Sequence, residues 1–444
     1  MDLQRWVEEA AARHAVPGAA VAVWAGGELF EAATGVVNRD TGVATTTDSV
    51  FQIGSVTKIW TAALVMQLVG EGLVDLDAPV RRYLPEFGVV DPVATETVTV
   101  RQLLSHSGGF DGDLFEDFGR GDDALGRLLE FMHTGARQVH PPGALFSYAN
   151  SGFCVLGALV AKFRGGTWEA AMRNHLLEPL GVSHMALFAD EAILFRAAAG
   201  HRAGDGRVLP RWQLPRSNAP ACATPCAAPR ELIRLGRMFL ADGVAEDGTR
   251  VLPAGTFARM LEPQIDTPDL GRRGAVRWGL GFSLFDWDGV PVAGHDGGTL
   301  GQSACWRLVP ERDVIIATSA NGGESGAFHD AVLAPVLAET AGLTVPARLL
   351  PPAEPVPFEP DRCVGAFESP LVRFDVRAVD GGLEVTATPR GVAAAVDDEP
   401  VTLRYVALGG DRFVAAEAQD GVHPVAAFLH DGRYLFHGRA VPRV

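Results

Sequence analysis

A serine and a lysine three residues apart, Ser55 and Lys58 in FQIGSVTKIW (51–60), pose the first chemical question of this 444-residue chain. Only two lysines occur, Lys58 and Lys162, and every other one of the 38 basic residues is arginine. Such usage suggests a genome that disfavours lysine codons, so a retained lysine marks a place where arginine will not serve. Arginine stays protonated in proteins, whereas a desolvated lysine can give up its proton and act as a base. Positions i and i+3 share one face of a helix. At a helix N-terminus the free N–H groups favour negative charge on a serine oxygen, and a buried amine beside it can take the serine proton. Taken alone, the tetrapeptide also fits an N-cap serine followed by a snorkelling lysine.

Two further stretches carry residue types that complement such a pair. Tyr148-Ala149-Asn150 offers a phenol, which next to a cationic lysine can become a phenolate and a second proton acceptor. Asn150 can hold the lysine and donate to a substrate carbonyl. His295-Asp296-Gly297-Gly298 precedes a strand, and its glycines permit close backbone approach to a ligand. The N–H of Gly298, with that of Ser55, could form an oxyanion hole. Each stretch also has a plain structural reading: a loop tyrosine with a turn asparagine, and a Gly-rich turn with an exposed histidine.

The elements that must position these residues follow from periodicity. Residues 18–53 alternate as strand, Gly26-Gly27 turn and strand. Residues 55–71 are apolar on nearly every face, which predicts a helix buried on all sides and stopped by Gly72. Further helices are expected at 98–107, 151–163 and 230–241, and strands at 278–285, 302–309 and 313–319. Strands at both ends with helices between predict an α+β body, one sheet against a helical lobe. Six prolines in 346–360 make a stiff linker. Beyond it the period is two, with Asp-Gly and Gly-Gly turns, so 361–444 should form a small antiparallel β-barrel of about eight strands.

The net charge of −16 disfavours nucleic acid and anionic membranes as partners. The acidic, helix-like N-terminus does not read as a signal peptide, and no apolar run is long enough to span a bilayer. The odd, scattered cysteines (Cys154, Cys222, Cys226, Cys305, Cys363) are expected as unpaired buried thiols in a reducing compartment. Cys222 and Cys226 could join or share a metal, but no second ligand pair stands nearby. A cytoplasmic location is expected.

Together, S-x-x-K at 55–58, Y-x-N at 148–150 and H-x-G at 295–297 resemble the serine β-lactamase and penicillin-binding-protein superfamily. The Y-x-N form is similar to its class C-like branch, which includes D-aminopeptidases, carboxypeptidases and esterases. VPGAAVAV (16–23), VTVRQLLSHSGG (98–109) and LLEPLGVSHM (176–185) support the likeness, which covers roughly 1–345. The resemblance implies a β-lactamase-like catalytic domain over 1–345, the linker 346–360 and a lipocalin-like domain over 361–444. It implies Ser55 as nucleophile, Lys58 and Tyr148 sharing acid–base work, Asn150 orienting and His295 assisting, in two-step acyl transfer without metal or cofactor.

The chain departs from true β-lactamases where K-T-G would stand. His295 is at most partly charged near neutral pH and Asp296 replaces the threonine, so a substrate carboxylate should be poorly recognised. This trio with a C-terminal β-domain and an arginine-rich composition most closely resembles penicillin-binding-protein-type thioesterases of nonribosomal peptide pathways. The expectation is then a peptidyl thioester ending in a D-residue, delivered by a peptidyl carrier protein and released as a head-to-tail macrocycle. A D-aminopeptidase, amidase or carboxylesterase taking a small peptide or ester is the alternative; with all four polar residues present, a silent ligand binder is disfavoured. Asp296, Gly297 and Arg439 are weaker substrate-binding candidates. Arg443, the acidic loop 111–123, His106, His184, Trp278, Trp287 and Trp306 are expected to be structural or solvated.

Overall fold

The computed structural model describes residues 1–271, 273–394 and 398–444. Its central element is a nine-stranded antiparallel sheet. From one edge to the other the strands are Val43–Ala44, Glu28–Asn38, Gly18–Ala25, Val314–Ala320, Ser303–Val309, Val290–Gly298, Ser283–Trp287, Arg277–Trp278 and Ile265–Asp266. The first and last strands of the sequence-predicted body thus meet in mid-sheet, with Ala19 opposite Ala320.

Both faces of this sheet are covered, which is why GAAVAVWA is apolar throughout rather than alternating. Ala19, Val21 and Val23 pack with Val7 of helix Leu3–Arg13 and with Phe328 and Leu333 of helix Ser325–Ala341. Ala22 and Trp306 face the other way, into the helical lobe. At the heart of that lobe lies helix Thr57–Gly70, in which every residue from Thr57 to Leu68 is buried. A helix apolar on all sides can only sit inside a core, as its sequence predicts. Helices Asn150–Arg164 and Pro229–Leu240 pack around it. Helix 98–107 is shorter than expected, Val100–Leu104, and is closed by a Thr99–Gln102 capping box.

The strand expected over 278–285 is broken. It ends at Trp278 and restarts at Ser283, because Gly281 takes φ +87 and lies so close to the buried helix that a Cβ there would sit 2.7 Å from that of Ala62. The bend drops Leu280 and Phe282 into the lobe core.

Residues from Gly365 to Pro442 carry eight consecutively paired antiparallel strands. A Phe367–Arg443 bridge brings the two ends together, so the barrel is nearly closed. The Asp-Gly and Gly-Gly signals fall on its hairpins as expected. Arg443 ties the seam through the carbonyls of Val364, Gly432 and Arg362 rather than reaching the cleft.

The barrel also docks on the body. Tyr434, Phe436 and Ala440 share an apolar cluster with Phe146 and Trp278. The Tyr148 N–H donates to the Gly438 carbonyl at 3.1 Å, and Ala440 N–H donates to Ser147 Oγ at 3.1 Å. All five cysteines are free and buried, as the sequence suggested. Among the described residues no helix is long and apolar enough to cross a membrane.

Candidate active site

Between phenylalanine 51 and tryptophan 60 only Ser55 is not buried. It lies in a 3₁₀ turn, Gly54–Val56, that leads into the buried helix. This placement exposes one hydroxyl at the end of an otherwise apolar element. The turn is possible because Gly54 takes φ +51 and strand Val290–Gly298 runs hard against it. A Cβ on Gly54 would lie 2.6 Å from Gly298 N, and one on Gly297 would lie 3.2 Å from Ser55 N and 2.0 Å from the Ile53 carbonyl oxygen. Side chains are excluded here, so the Ser55 and Gly298 backbones share one rim.

Lys58 is fully buried one turn further on. Its ammonium donates to Ser55 Oγ at 3.1 Å, Asn150 Oδ1 at 2.6 Å and the Ala221 carbonyl at 2.9 Å. An ammonium has three donors, and all are used. Removing one proton leaves two donors for the two fixed oxygen acceptors, so the lone pair faces the serine. Burial lowers the Lys58 pKa to about 8, which makes that neutral form accessible near physiological pH.

Tyr148 lies under Lys58 Nζ, 4.7 Å from the ring centroid. The sequence reading allowed a phenolate here. The structure corrects this: burial pushes the phenol far above its ordinary pKa, and its interactions with Ser55 and Arg439 offset only part of that. The Tyr148 phenol is therefore held neutral, with its proton available to donate. The phenol lies 3.4 Å from His295 Nε2. His295 donates through Nδ1 to its neighbour's carbonyl, Asp296 O, at 2.6 Å, which leaves Nε2 as an acceptor toward the phenol. Burial depresses the His295 pKa to about 3, so the ring is neutral across the working range.

Asn150 caps this arrangement from the start of its own helix, and its amide N–H₂ donates to Asp113 Oδ1 at 2.6 Å. Asp113 also pairs with Arg439, whose Nη2 donates at 3.1 Å. The Arg439 guanidinium lies 5.1 Å from the Tyr148 ring centroid. The acidic loop is therefore not uniformly solvated. Asp111 is buried against Arg137, and Asp113 is largely enclosed, whereas Asp117, Asp122 and Asp123 are exposed as expected. Asp113 is a site residue that sequence reasoning set aside, because its counter-ion comes from the far end of the chain.

Asp296 faces the cleft, but both carboxylate oxygens accept from Arg307, at 2.7 and 3.0 Å. The side chain is 65% exposed, and the Arg307 guanidinium holds the carboxyl well below the usual range. Asp296 thus lines the cleft as an exposed carboxylate whose charge is balanced by a buried arginine. Gly297 serves the close backbone approach. Trp278, expected in the core only, lines the cleft edge-on to His295 and Tyr148, with ring centroids 5.4 and 5.8 Å away. Trp287 and Trp306 are core residues. His106 is structural as expected: it accepts the Ala149 N–H at 3.0 Å and stacks 4.2 Å from Tyr148. His184 packs on Phe195 near Glu231.

The cleft that gathers these groups has a volume of about 750 Å³ and is walled partly by the barrel, through His423, His437 and Arg439. Among the described residues no group of three or more His, Cys, Asp or Glu is gathered to hold a metal. The arrangement can deprotonate a serine, stabilise an oxyanion and return a proton to a leaving group, the requirements of acyl transfer.

Comparison with known proteins agrees with this geometry. The Beta-lactamase family profile matches residues 3–339. Penicillin-binding protein 4 of Amycolatopsis lactamdurans is 43% identical over 359 residues, covering 80% of this chain and 94% of that protein. Esterase EstB of Burkholderia gladioli is 33% identical over 183 residues, 38% of this chain and 46% of the esterase. The crystal structure of SurE with D-Leu superposes with a TM-score of 0.77 at 28% identity, covering 100% of this chain and 98% of SurE. The chain therefore belongs to the β-lactamase family, within the superfamily of serine hydrolases and acyltransferases that includes the penicillin-binding proteins.

Proposed function

We propose that Ser55 accepts an acyl group from a peptidyl thioester ending in a D-residue, and that the peptide is released by head-to-tail macrocyclisation. The observation that carries the acyl-enzyme step is the closed donor set of Lys58, which leaves its lone pair facing Ser55 Oγ. Lys58 takes the serine proton, Ser55 attacks the carbonyl, and the Ser55 and Gly298 N–H groups receive the oxyanion. Tyr148, polarised by His295 Nε2, delivers a proton to the departing thiolate. Lys58, reprotonated in the first step, restores the phenol. In the second step the same groups run in reverse, removing a proton from the incoming amine. Asn150 and Asp113 hold Lys58 in register, and Arg439 secures Asp113 from the barrel side.

Support for the finer reading is threefold. SurE, similar over both sheet and barrel, was crystallised with a D-amino acid. His295 is uncharged where a carboxylate-binding lysine would stand, so a bond lacking an adjacent free carboxylate suits the cleft. The barrel wall and a cleft of about 750 Å³ give room for a peptide. Delivery by a peptidyl carrier protein in the cytoplasm accords with this reading. A carboxylesterase or D-aminopeptidase is the second reading, favoured by the likeness to esterase EstB.

Product analysis separates the two. The protein is offered peptidyl thioesters ending in a D- or an L-residue, a D-aminoacyl amide, a short-chain ester and a chromogenic cephalosporin. Macrocycle from the D-ended thioester is the expected outcome, with little cephalosporin turnover. Linear acid alone, or dominant amide turnover, overturns cyclisation in favour of the second reading.

A further inference from the structure

The barrel encloses its own cavity of about 320 Å³, distinct from the catalytic cleft. Its walls are apolar, built from Leu383, Phe413, Phe428 and Leu435. An eight-stranded barrel has room for its own side chains or for one small ligand besides. Apolar cavities of this order take up small apolar molecules. The cavity also shares a wall with the cleft, since Pro424, Val425 and His437 line both.

His437 stands at a telling place. It begins the hairpin that docks on the catalytic loop, where Gly438 accepts the Tyr148 N–H and Arg439 meets Asp113. Its ring packs edge-on against Phe374, 5.0 Å between centroids, and its Nε2 is buried without a partner among the described residues. The other polar tip in the lumen is the Tyr405 phenol. Both are neutral at working pH, because burial lowers His437 to about 4 and raises Tyr405. Neutral tips in an apolar chamber exclude an ion and admit an alkyl or aromatic group with at most a hydrogen-bonding end.

We infer that the barrel lumen is a specificity pocket for an apolar side chain or alkyl tail of the acyl group carried on Ser55, entered past His437. This rests on the acyl-enzyme reading above and deepens it by naming the substrate class, an acyl group with a lipophilic arm. The C-terminal barrel then acts as part of the substrate site as well as a wall.

The test is a series of p-nitrophenyl esters from acetate to octanoate on the full chain. The expected kcat/KM rises about fourfold for each methylene that reaches the lumen. Ala426→Phe, which fills the lumen from strand Val425–Leu429, should lower the octanoate-to-acetate ratio by at least about tenfold. Val385→Phe, from strand Gly382–Pro389, gives the same comparison should the first variant not fold. A flat series, an unmoved ratio, or a length preference on the alcohol side overturns the proposal. Saturable octanoate binding with a flat series would also overturn it, assigning the lumen to a separate ligand. Acetate turnover that survives Ser55→Ala would instead overturn the underlying acyl-enzyme reading, so the two failures are distinguishable.

Discussion

At the scale of single residues, the lysine decides how the site behaves with pH. Lys58 must be neutral to take a proton, and it is protonated below about 8. Acylation should therefore fall as pH drops through 8, about tenfold per unit, and level off above it. His295, neutral above about 3, contributes no ionisation to that profile. Pre-steady-state acylation rates from pH 5 to 10 check this, and a limb near 6.5 that disappears in His295→Ala would contradict it. Lys58→Arg keeps the charge but cannot lose the proton, so it should reduce kcat/KM as severely as Lys58→Ala. Tyr148→Phe should cost about 10²–10⁴ in kcat, the usual contribution of a general acid–base group. Ser55, Lys58, Tyr148 and Asn150 were legible in the sequence because spacing along helices and rarity of type are local signals. Asp113 and Trp278 were not, and Arg439 was legible only as a weaker candidate. The Asp113–Arg439 pair spans 326 positions, and neither residue's neighbourhood in sequence hints at the other.

At the scale of elements, the site depends on one tight approach, the strand end at Gly297-Gly298 against the turn at Gly54. Gly297→Ala would place a Cβ 2.0 Å from the Ile53 carbonyl oxygen. Forcing these backbones apart should cost about 1–3 kcal/mol of stability and displace the Ser55 and Gly298 N–H groups. Thermal unfolding and kcat measured on the same variant should both fall; a stable protein with full activity would show that the rim is not needed. The buried helix is equally exacting. Trp60→Ala, at 0% exposure, should cost about 3–5 kcal/mol. Strand and helix identities were readable from periodicity, whereas the break at 279–282 was not. It arises from packing of Gly281 against Ala62, a contact made only once the helix is in place.

At the scale of the whole molecule, the barrel is seated on the catalytic loop rather than tethered beside it. Phe436, 1% exposed, shares a cluster with Phe146 and Trp278. Phe436→Ala should cost about 3–5 kcal/mol by cavity formation. Because Gly438 and Arg439 follow it directly, that loss should also lower kcat. Limited proteolysis across 346–359 should then cleave the variant faster than the parent. Undiminished activity with faster cleavage would mean that barrel docking does not support the catalytic loop. The eight-stranded count and the hairpin turns were visible in the sequence. The docking was not, since apolar residues of β-strands announce burial without naming what covers them.

The most direct measurement is the intact mass of the protein, with peptide mapping, after a brief exposure to a peptidyl thioester ending in a D-residue. An adduct equal to the acyl group on Ser55, absent in Ser55→Ala and strongly slowed in Lys58→Ala, is the expected result. Turnover without a Ser55 adduct and undiminished in Ser55→Ala would contradict the account at its root.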